Sequence, residues 1–169
     1  MMETGIQLAE TAVGTYGAAA IFGLFVLEGI LVGKLLPTRT AFFGAIVLLS
    51  GTLTGVISVV AAAVIGATAG QLLLFLAIRY RDIDVEALAA RSRLNSRWLD
   101  RADSWFDRWG LSALLVSNTV PGIRGYMVIP VALSAASSYR FSIVSLAGTV
   151  VYISVLSMVA VGIGTTLFS

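Results

Sequence analysis

Four apolar blocks, Thr11 to Gly33, Ala41 to Ile78, Leu111 to Ser134 and Phe141 to Phe168, are divided two and two by a polar stretch from Arg79 to Arg108. The second block runs 38 residues without a charge. As one straight helix it would be about 57 Å long, nearly twice the hydrocarbon thickness of a bilayer, so it must break. Ser50-Gly51-Thr52-Leu53-Thr54-Gly55 supplies two glycines and three hydroxyls that suit a turn better than a helix interior. The pattern therefore predicts a half-length helix over Ala41 to Leu49 and a spanning helix from about Val56 to Ile78. Within the latter, Gly66 and Gly70, four apart and flanked by Ala67 and Ala69, form a small-residue face for close helix packing, with the polar Gln71 beside it. Pro37 closes the first block, and Pro121-Gly122 breaks the third in the same way.

Between Arg79 and Arg108 lie seven of the eleven basic residues together with Asp82, Asp84, Glu86, Asp100, Asp103 and Asp107. Leu94, Trp98, Ala102, Trp105 and Trp109 recur at steps of three and four, the spacing of an amphipathic helix with a Trp-bearing apolar face. Such a helix lies along a membrane surface or on the protein's own rim, and the pattern does not separate the two. The excess of Arg places it on the cytoplasmic side.

The two halves share a plan. Pro37 is followed by Arg39 and, thirteen residues after the proline, by the Ser50 break; Pro121 is followed by Arg124 and, thirteen residues after the proline, by Ser134-Ala135-Ala136-Ser137-Ser138-Tyr139. Each break precedes one uncharged spanning helix. With residues 79–108 inside, the first short hairpin dips in from outside and the second from inside. Two such re-entrant hairpins form an inverted repeat whose Pro-broken tips meet near the midplane, the plan of a transporter.

At 58% hydrophobic and 12% charged residues, with mean hydropathy +0.96, the composition lies outside that of soluble domains. The expected fold is an all-α, multi-pass integral membrane protein. It forms a single membrane domain over 1–169, with halves at 11–78 and 109–169 joined by 79–108. There is no Cys and no His, so no thiol, no imidazole base and no cofactor or metal site is expected. The acidic start, Met1 to Glu10, lacks the positive region of a secretory leader. A single Lys among the eleven basic residues hints at a GC-rich prokaryotic genome, hence a prokaryotic cell membrane.

Two charges stand out inside the apolar blocks. Arg124 lies among Leu114, Leu115, Val116, Val120, Ile123, Val128 and Ile129. An intramembrane Arg costs at least about 2.5 kcal/mol, so it marks a site and needs a partner, unless it snorkels to an interface. Glu28 is a lone carboxylate with Lys34 and Arg39 following, and an interfacial position at a helix end is its simpler reading.

The run Trp105-Phe106-Asp107-Arg108-Trp109-Gly110 through Asn118-x-x-Pro121-Gly122-x-Arg124, followed by Pro130-Val131-Ala132, Tyr139-Arg140-Phe141 and Gly148, resembles the DedA, or VTT-domain, membrane proteins. Glu28 followed by Pro37, and Gly66-x-x-x-Gly70 followed by Arg79, match that family's acidic-Pro hairpin and Gly-rich helix. The resemblance spans about Phe22 to Gly164. It implies polyprenyl-phosphate translocases and lipid scramblases as relatives. The chain departs from the pattern at two places: Asn118 stands where the family has an Arg, and Arg39 where an acid is usual. Two acids facing two arginines thus become Glu28, Arg39, Asn118 and Arg124, which puts the family's proton coupling in question and leaves a cationic pocket.

The function expected on this basis is translocation of a phosphate-bearing lipid such as a polyprenyl monophosphate, without enzymatic chemistry. Arg124 and Arg39 would bind the phosphate, Arg being the side chain whose planar fork matches its oxygens. Asn118 and Tyr126 would add hydrogen bonds, and Glu28 would hold an arginine or exchange with substrate for it. A half-helix starting near Gly125 would turn its positive end toward the anion. The partners are then the lipid and the bilayer, without nucleic acid, and a homo-oligomer is left open. The alternatives are a proton-coupled transporter of a small solute or toxic cation with Glu28 as proton carrier, and an assembly factor acting through the Trp-bearing helix.

Overall fold

The computed structural model describes residues 16–30, 38–49, 52–81, 96–120, 124, 125 and 127–168, and no strand occurs among them. The elements are α1 (Ala18–Gly29), α2 (Thr38–Leu48), α3 (Leu53–Tyr80), α4 (Ser96–Trp109), α5 (Leu111–Thr119), α6 (Val128–Leu133) and α7 (Ser138–Phe168). Two are long and apolar enough to cross a membrane, Leu53–Tyr80 and the Ser138–Gly162 part of α7. At 11, 9 and 6 residues, α2, α5 and α6 are each too short to cross a hydrocarbon core of about 30 Å.

Three boundaries differ from the sequence expectation, each for a local reason. α3 begins at Leu53, since Thr52 is extended (φ −130°, ψ 116°) and its carbonyl accepts the Val56 N–H at 3.1 Å, so Thr54 and Gly55 lie inside the first turn. Gly55 is small there because Leu49 folds against it: an added Cβ would stand 3.1 Å from that of Leu49. α7 begins at Ser138, where the Ser137 hydroxyl accepts the Arg140 N–H at 3.4 Å and the Ser137 carbonyl accepts the Phe141 N–H at 3.0 Å. The half-helix expected from Gly125 starts only at Val128 and runs six residues. Gly125 has φ +85°, outside any right-handed helix, and Pro130 must lie in the first turn, where its missing N–H costs nothing. So short a helix carries little dipole, and the reading that it steers a phosphate is withdrawn.

α1 lies against α3 with almost no side chain between them. A Cβ on Gly66 would come within 2.5 Å of the Phe22 carbonyl oxygen, one on Gly70 would collide with the Val26 carbonyl, and one on Gly29 would stand 2.7 Å from the Ala67 carbonyl. The Gly66 and Gly70 face is therefore the seat of α1. α7 runs antiparallel to α3, as Phe75 stacks on Phe141 with ring centroids 4.4 Å apart while Gln71, one turn away, meets Ser145. Small residues bring α5 onto α7 as well, since a Cβ on Gly148 would stand 2.7 Å from the Asn118 Cβ.

Two apolar clusters fill this frame. One gathers Leu74, Phe75, Ile78, Leu114, Val128, Ile129, Val131 and Phe141; the other gathers Ile21, Phe25, Phe42, Ile46, Val59, Ala63, Ala67, Tyr152 and Ile153. On α3 the first begins at Leu74 and the second ends at Ala67, and on α7 they meet between Phe141 and Tyr152. The buried side chains between them, Gln71 on α3 and Ser145 and Thr149 on α7, are polar.

At the first cluster's edge the α3 terminus is tied to the α6–α7 link: Arg79 Nη1 donates to the carbonyls of Ser134 (3.2 Å) and Ala136 (2.6 Å) and its guanidinium lies 5.6 Å from the Phe75 ring centroid. Gly110, with φ +55°, turns α4 into α5 within one residue. Trp105 and Trp109 of α4 are exposed. Of the stretch 79–108 expected on the cytoplasmic side, residues 82–95 lie outside those described.

Candidate functional site

The polar layer has a charged end and an amide end. At the charged end Arg124 Nη1 stands 3.6 Å from Glu28 Oε1, with side-chain exposures of 7% and 16%. Arg124 Nη2 donates to Thr149 Oγ1 at 3.3 Å, and the guanidinium carbon lies 4.6 Å from the Tyr152 ring centroid. The separation of 3.6 Å leaves the ion pair without a hydrogen bond. Arg124 Nε and Nη1 and Glu28 Oε2 are all buried and unpartnered. Glu28, Gly29, Gln71, Arg124 and Gly125 surround a cavity of about 20 Å³.

Local structure explains the placement. Glu28 is the penultimate residue of α1, and the α1–α3 glycine contact brings that end against Gln71. Arg124 follows the α5 break and precedes Gly125, whose left-handed backbone turns the chain back toward α6. Thr149 and Tyr152, three residues apart, share one face of α7.

At the amide end Gln71 Nε2 donates to Asn118 Oδ1 at 3.1 Å and Asn118 Nδ2 donates to Gln71 Oε1 at 3.1 Å. Ser145 donates to the same Gln71 oxygen and accepts from Asn118 Nδ2 at 3.5 Å. All three side chains are buried, Asn118 completely. Its amide, expected to face a head group, is engaged by protein partners on two helices.

Of the other expected site residues, Arg39 is exposed in the first turn of α2 and does not line the cavity, though its charge is felt at Arg124. Tyr126, Pro37, Pro121 and Gly122 lie outside the described residues. In the sequence Gln71 stands out only as a neighbour of the glycines, and Ser145, Thr149 and Tyr152 do not stand out singly. Their signal is present nonetheless: Ser145, Thr149 and Tyr152 form an i, i+4, i+7 polar stripe on an otherwise apolar helix.

The ion pair joins the end of α1 to the chain between α5 and α6, with Thr149 and Tyr152 of α7 against it. The model of the VTT domain matches residues 36–162. The chain belongs to the VTT-domain family. A relative, undecaprenyl phosphate transporter A of Staphylococcus aureus, is 26% identical over 153 residues, which cover 86% of this chain and 73% of that protein. No solved structure matches the chain. Among the site residues, Glu28 lies upstream of the matched VTT span, whereas Gln71, Asn118, Arg124, Ser145, Thr149 and Tyr152 lie within it.

Proposed function

We propose that this VTT-domain protein translocates a lipid bearing a phosphate head group, such as a polyprenyl monophosphate, and that Arg124 receives the phosphate. The carrying observation is the buried guanidinium with two unpartnered donors, Nε and Nη1, set beside a carboxylate that it does not hydrogen-bond. Buried donors without acceptors are costly, and a phosphate, with several acceptor oxygens, can take hydrogen bonds from more than one side of the guanidinium. Glu28 compensates the charge while no head group is bound and yields when one arrives. The cavity of about 20 Å³ accommodates about one water-sized probe, so binding requires the site to open.

Two re-entrant hairpins fit the short lengths of α2, α5 and α6, and irregular backbone at their breaks needs protein or a wet cavity around it. In this reading the chain is multi-pass, 79–108 faces the cytoplasm with α4 at the interface, and Arg39 offers an exposed cation on the approach. Asn118 acts by holding α5 in register, and Tyr126 supplies a hydrogen bond near the same break. The prenyl tail stays in lipid while the head group follows the polar layer.

The test is a flipping assay in liposomes containing the purified protein and a fluorescent prenyl monophosphate. Wild-type protein moves the probe between leaflets without a pH gradient. Arg124→Lys, which keeps the charge and loses the bidentate fork, slows it at least about tenfold with expression unchanged. Movement that needs a proton gradient, or that is indifferent to Arg124→Lys, overturns the reading.

A further inference from the structure

We propose that Tyr152 is a head-group ligand, its phenolic O–H donating to the same anion that Arg124 binds. This rests on the assignment of Arg124 to a phosphate and adds a second donor, from a different helix.

Tyr152 is 3% exposed, and its hydroxyl has no hydrogen-bond partner. A buried phenol usually finds one. Its ring is well fixed, forming part of the apolar cluster with Phe25, Phe42 and Ile153 and presenting a face to the Arg124 guanidinium at 4.6 Å. A platform for Arg124 needs only that ring, and phenylalanine would serve equally well and leave no orphan oxygen. The hydroxyl also faces Arg124, whose guanidinium can donate to the phenol oxygen, so it is the O–H proton that is left without an acceptor.

The neighbouring groups decide what the hydroxyl can do. Arg124 offers only donors, and Thr149, one turn back along α7, already accepts from Arg124 Nη2. An anion drawn to Arg124 Nε and Nη1 brings acceptor oxygens to the edge of the guanidinium, and the phenol O–H can donate to one of them. A phosphate monoester has enough terminal oxygens to take the arginine fork and the phenol together. Free inorganic phosphate shares that chemistry, so the proposal concerns the phosphate group and the experiment separates the two sources.

The experiment is equilibrium binding of farnesyl phosphate to the purified full chain in detergent, with inorganic phosphate as competitor and a thermal melt of each variant without ligand. Tyr152→Phe keeps the ring and the cation–π contact. It should weaken farnesyl phosphate binding about tenfold, the worth of one hydrogen bond to a charged group, and leave the melting temperature equal to or above that of wild type. Competition by inorganic phosphate should weaken by the same factor. Wild-type binding by Tyr152→Phe, with binding lost in Arg124→Ala, makes Tyr152 a platform only and overturns the proposal. A lower melting temperature overturns it too, since the hydroxyl would then have a partner in the free protein. Weaker binding of farnesyl phosphate with unaltered competition by inorganic phosphate places the phenol away from the phosphate and also overturns it. Binding that survives Arg124→Ala removes the underlying assignment of Arg124, a failure distinct from those of Tyr152→Phe.

Discussion

Gln71 on α3 and Asn118 on α5, 47 residues apart, exchange amide hydrogen bonds in both directions at 3.1 Å. This reciprocal pair fixes the end of α5 one step before the break that delivers Arg124. Asn118→Ala leaves the buried Gln71 Nε2 without an acceptor and should cost about 1 to 3 kcal/mol, read as a lower melting temperature in detergent. Replacing both partners by leucine should recover part of that loss, because neither amide is then stranded. A double variant as unstable as the sum of the two single ones would show that the pair does not act as a unit.

Glycine is needed at 70 and dispensable at 44. A Cβ at 70 would stand 2.9 Å from the Gly29 Cα and collide with the Val26 carbonyl, whereas one at Gly44 meets nothing within 4 Å. Gly70→Ala should therefore cost about 1 to 3 kcal/mol by forcing α1 away from α3. Gly44→Ala should be neutral or stabilising by up to about 1 kcal/mol. Melts of the two variants check the contrast.

Removing either member of the charged pair has unequal consequences. Glu28→Gln strands a guanidinium that is 7% exposed, and breaking one side of a buried pair costs about 3 to 5 kcal/mol. Arg124→Ala leaves a carboxylate that is 16% exposed and keeps some contact with its surroundings outside the protein. Glu28→Gln should thus melt lower than Arg124→Ala, with added anionic lipid partly restoring it. If Arg124→Ala is the less stable and lipid rescues neither, Arg124 is a structural counter-ion.

The proposed topology makes a separate claim. Cysteines introduced at Leu53 and Asp107, both exposed, should react with an impermeant thiol reagent from opposite sides of the membrane. The native chain has no cysteine, so the signal is unambiguous. Labelling from the same side would rule out the inverted arrangement.

Charges inside apolar runs are rare enough that Glu28 and Arg124 could be picked out from sequence, and the structure brings them together. The glycines at 66 and 70 were legible for a similar reason, since four-residue spacing of small side chains has few uses besides close packing. Partnerships among neutral polar groups were not legible. Gln71, Asn118 and Ser145 are each tolerated singly in a helix, and only the tertiary fold decides that they meet. The start of α6 is not legible either, because the left-handed backbone of Gly125, which delays the helix to Val128, is set by the tertiary fold.

The glycine contact between α1 and α3 also partitions the molecule mechanically. Backbones that touch directly cannot slide without collision, so these two helices tilt as one arm. Glu28 and Gln71 ride on that arm, while Arg124, Asn118, Ser145 and Thr149 ride on α5, α7 and the chain between them. The contacts Glu28–Arg124, Gln71–Asn118 and Gln71–Ser145 cross the seam, while Arg124–Thr149 and Asn118–Ser145 stay on one side of it. Parting that seam breaks the ion pair and the Gln71 contacts together with the Phe75–Phe141 stack and the Arg79 hydrogen bonds to the Ser134 and Ala136 carbonyls, and leaves the Arg124–Thr149 hydrogen bond intact.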